Sequence, residues 1–243
     1  MNKTYHIGCS GYYYPSWKHN FYPSGLAPKN WLNYYSSVFN AVELNGTFYQ
    51  TPKLKDLKKY ADETPAEFRF SVKMSRYITH VKKMSDTKDE ILELQNLFLE
   101  GLQNKLACFL FQLPPSFVYN ENHLDRLLKN IPHQPRNAVE LRDLSWWNAN
   151  VEDAFRKTKL TFCNIEHPKL QPASENLIHT SDCFYMRFHG TPELFKSKYD
   201  ITRLTGLSKR FPKNSSNNYI FFNNTYYDAA YRNAKELKTI LQK

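Results

Sequence analysis

Three cations and three carboxylates stand at matching places in this chain, each at the end of a short apolar run: Lys73, Arg142 and Arg187 against Glu43, Glu140 and Glu166. Guanidinium and ammonium groups bind oxyanions, Arg in a bidentate manner, so the cations suit a phosphate or another anion. The carboxylates are then candidate general bases, or partners that hold the cations in place. His189 and His80 titrate near neutral pH and can shuttle protons. Ser10, Asn45, Gln112 and Asn223 add neutral polar groups that would orient a ligand.

What must position these side chains is a set of strands. Eight segments with β-branched or aromatic enrichment read as strands: Tyr5–Ser10, Ala41–Asn45, Phe68–Met74, Leu106–Gln112, Asn137–Arg142, Leu160–Glu166, Phe184–His189 and Tyr219–Asn223. Helical patterns fall between them at Pro28–Val38, Leu54–Glu63, Lys88–Leu102, Glu121–Ile131, Val151–Lys157 and Ala229–Gln242. This alternation predicts a TIM-type (β/α)8 barrel, irregular after strands six and seven. There, 167–182 shows little helical period, and 190–217 is rich in Pro, Lys, Ser and Asn, so a long loop or short helices are expected. The 243 residues match the ~250 typical of one such barrel, and residues 1–243 are read as a single domain.

Residues two apart on a strand share a face. Gly8 and Ser10, Glu43 and Asn45, Ser71 and Lys73, Glu140 and Arg142, Asn164 and Glu166, and Arg187 and His189 therefore form one polar parity. Cys9, Leu44, Val72, Leu141, Ile165 and Phe188 form the apolar one. Gln112 and Asn223 close strands four and eight, so every strand delivers a polar group to the same rim, where barrel enzymes keep their active sites. The competing reading is a self-neutralising buried ion network. Such a network is expensive, at several kcal/mol of desolvation per ion, which favours a ligand site.

Composition narrows the classes. The net charge of +10 attracts anions, and an anionic small molecule or a nucleic acid is the expected partner. No run of about 18 apolar residues is present, so no membrane helix is expected, and the N-terminus lacks a secretory pattern. The four cysteines show no metal-binding spacing and read as reduced core thiols of a cytosolic protein.

The blocks GCSGYYYPSWKHNFYP at 8–23, WLNYYSSVFNAVELNGTFYQTP at 31–52, TPAEFRFSVKMSRYITH at 64–80, FQLPPSF at 111–117, AVELRDLSWW at 138–147, YMRFHG at 185–190 and FFNNTYYDAAYRNA at 221–234 resemble the YecE-like family, catalogued as domain of unknown function 72. The likeness runs from about residue 6 to the C-terminus. It implies a TIM-type barrel and leaves the reaction open. The matched positions include Ser10, Glu43, Asn45, Lys73, His80, Gln112, Glu140, Arg142, Trp146, Arg187, His189 and Asn223. Glu166, followed by Pro168, stands where members often carry an Asp before a Pro.

The expectation is an enzyme, of a phosphoester hydrolase or isomerase type, acting on a phosphate-containing or nucleic-acid-derived substrate at the C-terminal rim. Glu43, Lys73, Glu140 and His189 are its candidate catalytic groups, while Ser10, Asn45, His80, Gln112, Arg142, Trp146, Arg187 and Asn223 are its candidate substrate-binding groups. One alternative is a metal-dependent hydrolase or isomerase of the endonuclease IV kind, with Glu43, Glu140, Glu166 and His189 as ligands to a divalent metal. That analogy rests on fold alone, and three cations on the rim oppose a metal. Another is a non-catalytic nucleic-acid-binding barrel whose aromatics, Tyr12, Tyr13, Tyr14, Trp17, Tyr49, Trp146 and Trp147, stack bases.

Overall fold

Every expected strand forms, with ends that shift by no more than two residues. In the computed structural model, which describes residues 3–134, 136–170 and 177–242, the strands are β1 Thr4–Cys9, β2 Ala41–Leu44, β3 Arg69–Lys73, β4 Leu106–Gln112, β5 Asn137–Glu140, β6 Thr161–Glu166, β7 Cys183–Phe188 and β8 Asn217–Phe222. They are parallel and ordered β1-β8-β7-β6-β5-β4-β3-β2. Helices α1 Trp31–Val38, α2 Leu54–Asp62, α3 Lys88–Leu102, α4 Glu121–Asn130, α5 Ala149–Thr158, α6 Ile201–Ser208 and α7 Ala229–Leu241 cover the outside. This is a nearly closed (β/α)8 barrel.

The last seam of the ring, between β1 and β2, is sewn largely by side chains. One parallel bridge joins Ser10 to Glu43. Below it, Asn40 accepts from the Ile7 amide at 2.9 Å and donates to the Tyr5 carbonyl at 2.8 Å. Likewise the Tyr35 hydroxyl accepts from the Cys9 amide at 2.7 Å and donates to the Ala41 carbonyl at 3.1 Å. Buried strand-edge groups are thus satisfied without a ladder. Gly8 is required here: a Cβ at this position would lie 1.9 Å from the Ala41 carbonyl oxygen.

The two parities separate two cores. Cys9, Val42, Val72, Phe109, Val139, Phe162, Met186 and Ile220 pack outward against the helices. Cys108, Leu110, Ala138, Cys163, Ile165, Tyr185, Tyr219 and Phe221 fill the barrel. His6 plugs its lower end, stacked on Tyr219 at 4.9 Å; burial and then Arg69 lower its pKa to about 4, so it packs there neutral. All four cysteines are buried and free.

Two regions without a clear period resolve differently. Within 190–217 the Asp200 side chain caps α6 through the Arg203 amide at 2.7 Å, and only Leu204 and Leu207 of that short helix are buried. The described parts of 167–182 contain no helix, and residues 171–176 lie outside the described residues. Among the described residues no helix is long and apolar enough to cross a membrane.

Candidate functional site

Strand parity carries Glu43, Glu140 and Arg187 into the barrel, where none of them is reachable by solvent. Arg187, at the end of β7, lies between the two carboxylates. Its Nη1 donates to Glu140 Oε2 at 2.5 Å and its Nη2 to Glu43 Oε1 at 2.7 Å. The Ser10 hydroxyl donates to Glu43 Oε1 at 2.6 Å, and the Tyr185 hydroxyl donates to Glu43 Oε2 at the same distance. Tyr185 is itself bonded to the Ser71 hydroxyl. Glu140 is held from above as well, by Arg142 Nε on Oε1. Burial alone would raise the pKa of Glu140, but Arg142 and Arg187 hold it well below the usual carboxylate range. Arg187 is pulled two ways also: burial opposes its charge, while Glu140 and Glu43 secure it.

His189 extends this chain toward the mouth. Asn223 Nδ2 lies 3.0 Å from His189 Nδ1, while His189 Nε2 faces both Glu140 Oε1 and Arg142 Nη2 at 3.4 Å. Burial, then Arg142, push its pKa well below the ordinary value, so the ring is neutral. His167, just past β6, meets the His189 ring edge-on at 5.5 Å and is also neutral, at about 4, through burial and Arg142.

Lys73 stands apart from these pairings. Its Nζ lies 4.0 Å from the centre of the Phe48 ring, and among the described residues no carboxylate is within ion-pairing distance of it. Burial, then repulsion from Arg187, lower its pKa to about 8. His80 packs edge-on against the same Phe48 ring and faces Gln112 Nε2 at 3.4 Å. Burial, then Lys73 and Arg76, bring His80 to about 4. Asn45 is tied to the edge of the cluster, its Nδ2 donating to the Ser10 carbonyl at 3.3 Å.

The structure therefore gathers Ser10, Glu43, Glu140, Arg142, Arg187, His189 and Asn223 into one hydrogen-bonded chain, with Lys73, His80, Gln112 and Asn45 around it. Two expected members are elsewhere. Trp146 is buried behind the wall, stacked on Phe117 at 5.5 Å with its Nε1 donating to the Phe117 carbonyl, so it does not line the mouth. Glu166 also turns away, because the inward residues of β6 are Cys163 and Ile165. On the outer face Asn164 clamps the backbone of Ile178 through two 2.8 Å hydrogen bonds, and Glu166 meets Arg203 of α6 at 2.9 Å. The set Glu43, Glu140, Glu166 and His189 thus does not converge. Among the described residues no cluster of three or more His, Cys, Asp or Glu could hold a metal ion. Of the expected stacking aromatics, Trp17 is core, packed on Phe21 and Tyr231, whereas Tyr13 and Tyr49 are exposed.

The family model described as protein of unknown function DUF72 matches residues 6–243. The chain belongs to the DUF72 family. It is 32% identical over 155 residues to UPF0759 protein YunF of Bacillus subtilis (strain 168), an alignment covering 60% of this chain and 53% of that protein. To UPF0759 protein YecE of Escherichia coli (strain K12) it is 27% identical over 141 residues, 57% and 50% of the two chains. It thus spans about half the length of the curated relatives it matches. A crystal structure of a DUF72 family protein from Thermotoga maritima MSB8 superposes with a TM-score of 0.87 at 30% identity, covering 98% of this chain and 99% of that one. A DUF72 family protein from Enterococcus faecalis V583, at 19% identity and a TM-score of 0.78 over 99% and 96% of the chains, shares the fold.

Tyr185, Phe48 and His167 are site residues to which sequence reasoning gave no role. Tyr185 was within reach of the parity rule, two residues before Arg187 on the same strand. Phe48 sits in a short 3-10 turn, Gly46–Phe48, where no periodicity points to Lys73.

Proposed function

We propose that this protein is an enzyme that binds an anionic, phosphate-bearing substrate at the C-terminal mouth of the barrel, with Lys73 as the group that meets the anion. The observation that carries this reading is the unmatched charge. Arg142 and Arg187 are neutralised by Glu140 and Glu43, the histidines around them are neutral, and Lys73 is left as a partly buried ammonium over an aromatic ring. A desolvated cation without a counter-ion is costly in a resting protein and is offset when an anion arrives. Arg142, which keeps some exposure, is placed to add a second donor.

The same reading assigns roles to the rest. Glu43 and Glu140 are saturated by Arg187, Arg142, Ser10 and Tyr185, so they act as positioning residues that fix the guanidinium groups. Lys73, at a pKa of about 8, is close enough to working pH to give and take a proton, which suits general acid–base catalysis on the bound phosphate compound.

Calorimetric titration with inorganic sulfate, whose charge is constant from pH 6 to 10, tests this. The protonated Lys73 is the binding form, so affinity should be flat below about 8 and fall as pH rises through that value. Loss of one charge-assisted contact in Lys73→Gln should weaken binding about tenfold or more. Equal affinity in the variant, or no pH dependence, would remove the reading.

A further inference from the structure

Beside the mouth, between the loop after β1 and the start of α2, lies a trough of about 670 Å³ that the ion cluster does not explain. It is lined by Tyr12, Tyr13, Tyr14 and Tyr60, and by Asn45 and Gly46. It is contiguous with the cluster. Asn45, which lines it, donates to the carbonyl of Ser10, whose hydroxyl binds Glu43. The hydroxyl of Thr47, also in its lining, lies 2.7 Å from the carbonyl oxygens of both Leu44 and Lys73. A ligand whose anionic end reached Lys73 would therefore have this trough as the adjoining space.

The chemistry of the trough is specific in two respects. Tyr13 is more than half exposed (58%) and is held by Trp31 at 4.9 Å, and Tyr12 stands edge-on to both Tyr13 and Tyr60 at 6.5 Å. These are rigid aromatic faces of the kind that accept a flat ring. In addition one acceptor in the lining is uncommitted. Among the described residues the Asp56 carboxylate, at the first turn of α2 and in the lining of the trough, makes no ion pair. A carboxylate without a partner can accept from a ligand N–H.

We infer that the trough is a subsite for a planar nitrogen heterocycle carrying N–H donors, a nucleobase, so that the substrate of the mouth is a nucleotide. This rests on the phosphate reading above and adds the second half of the ligand to it. The ring stacks on the tyrosines, an N–H reaches the Asp56 carboxylate, and the phosphate lies at Lys73.

Gly46 provides the test. A Cβ there would meet nothing within 4 Å, and its backbone is not in the left-handed region, so Gly46→Trp can place an indole in the trough without displacing the fold. Calorimetry with adenosine monophosphate, ribose 5-phosphate and adenosine separates the two halves. Adenosine monophosphate should bind at least tenfold more tightly than ribose 5-phosphate. In Gly46→Trp that advantage should vanish while ribose 5-phosphate binds as before and the melting temperature is unchanged. Adenosine reads the trough by itself: binding that is lost in Gly46→Trp and kept in Lys73→Gln supports the subsite even if neither phosphate compound binds, an outcome that would instead overturn the phosphate reading. No gain from the base in the native protein, or a gain that survives Gly46→Trp, overturns the subsite.

Discussion

Arg187→Met should destabilise the protein by about 3–5 kcal/mol at pH 7, the range seen when one member of a buried ionic group is removed and its partners stay. The magnitude follows from what is left behind. Glu43 and Glu140 have no solvent exposure, and each loses a guanidinium hydrogen bond, at 2.7 and 2.5 Å. Among the described residues Arg142 is then the one guanidinium left in contact with either carboxylate. Between pH 7 and 5 the pH dependence should change as well. In the native protein Glu140 has a depressed pKa, so its contribution is present above the ordinary carboxylate pKa and is lost as pH falls through the folded-state value. In the variant a buried carboxylate with too little positive charge is driven to bind a proton, so stability should increase as pH falls from 7 toward 5. Urea denaturation of both proteins across that range measures the two slopes. Parallel slopes, or a loss under about 1 kcal/mol, would contradict the account of the cluster.

Lys73→Met should do the opposite to stability while removing function. Burial lowers the pKa of Lys73 from 10.5 to about 8, which means the folded state binds the proton less well than the unfolded chain. Below about 8 that penalty is present in full, and it is relieved as pH rises toward 10.5 and the side chain is neutral in both states. Methionine keeps most of the apolar stem and its contact with the Phe48 ring, so at pH 7 the variant should be more stable by roughly 1–2 kcal/mol. The difference should shrink above pH 8. Anion binding should fall at least tenfold in the same protein. A residue whose removal stabilises the fold and abolishes binding is present for the ligand. If Lys73→Met destabilises the protein instead, Lys73 is a structural member of the cluster.

Much of this is legible in the sequence, for a reason that strands make simple. A period of two, applied at the C-terminal end of each apolar run, places Ser10, Glu43, Lys73, Glu140, Arg142, Arg187 and His189 on the inner face, and they are there. The rule fails at β6, where polarity does not mark the inside. Asn164 points out because the backbone of Ile178 satisfies it, and Glu166 points out because Arg203 of α6 meets it. Both partners come from connections with no period of their own. Trp146 misleads in a similar way: an indole after a strand end looks like a lid, but its N–H finds the Phe117 carbonyl in the outer layer. The tyrosine trough is built from a loop and a helix far apart in sequence, and no spacing rule joins Tyr13 to Tyr60. Closure of the barrel is equally cryptic, since it depends on the amide of Asn40 and the hydroxyl of Tyr35 substituting for a strand ladder.

The central claim is that Lys73 marks an anion site at the barrel mouth. Crystals of the protein soaked in selenate test it directly through anomalous scattering. A peak within hydrogen-bonding distance of Lys73 Nζ, absent in Lys73→Met, is the expected result. Selenate found only elsewhere on the surface, or a mouth peak that persists in the variant, would contradict it.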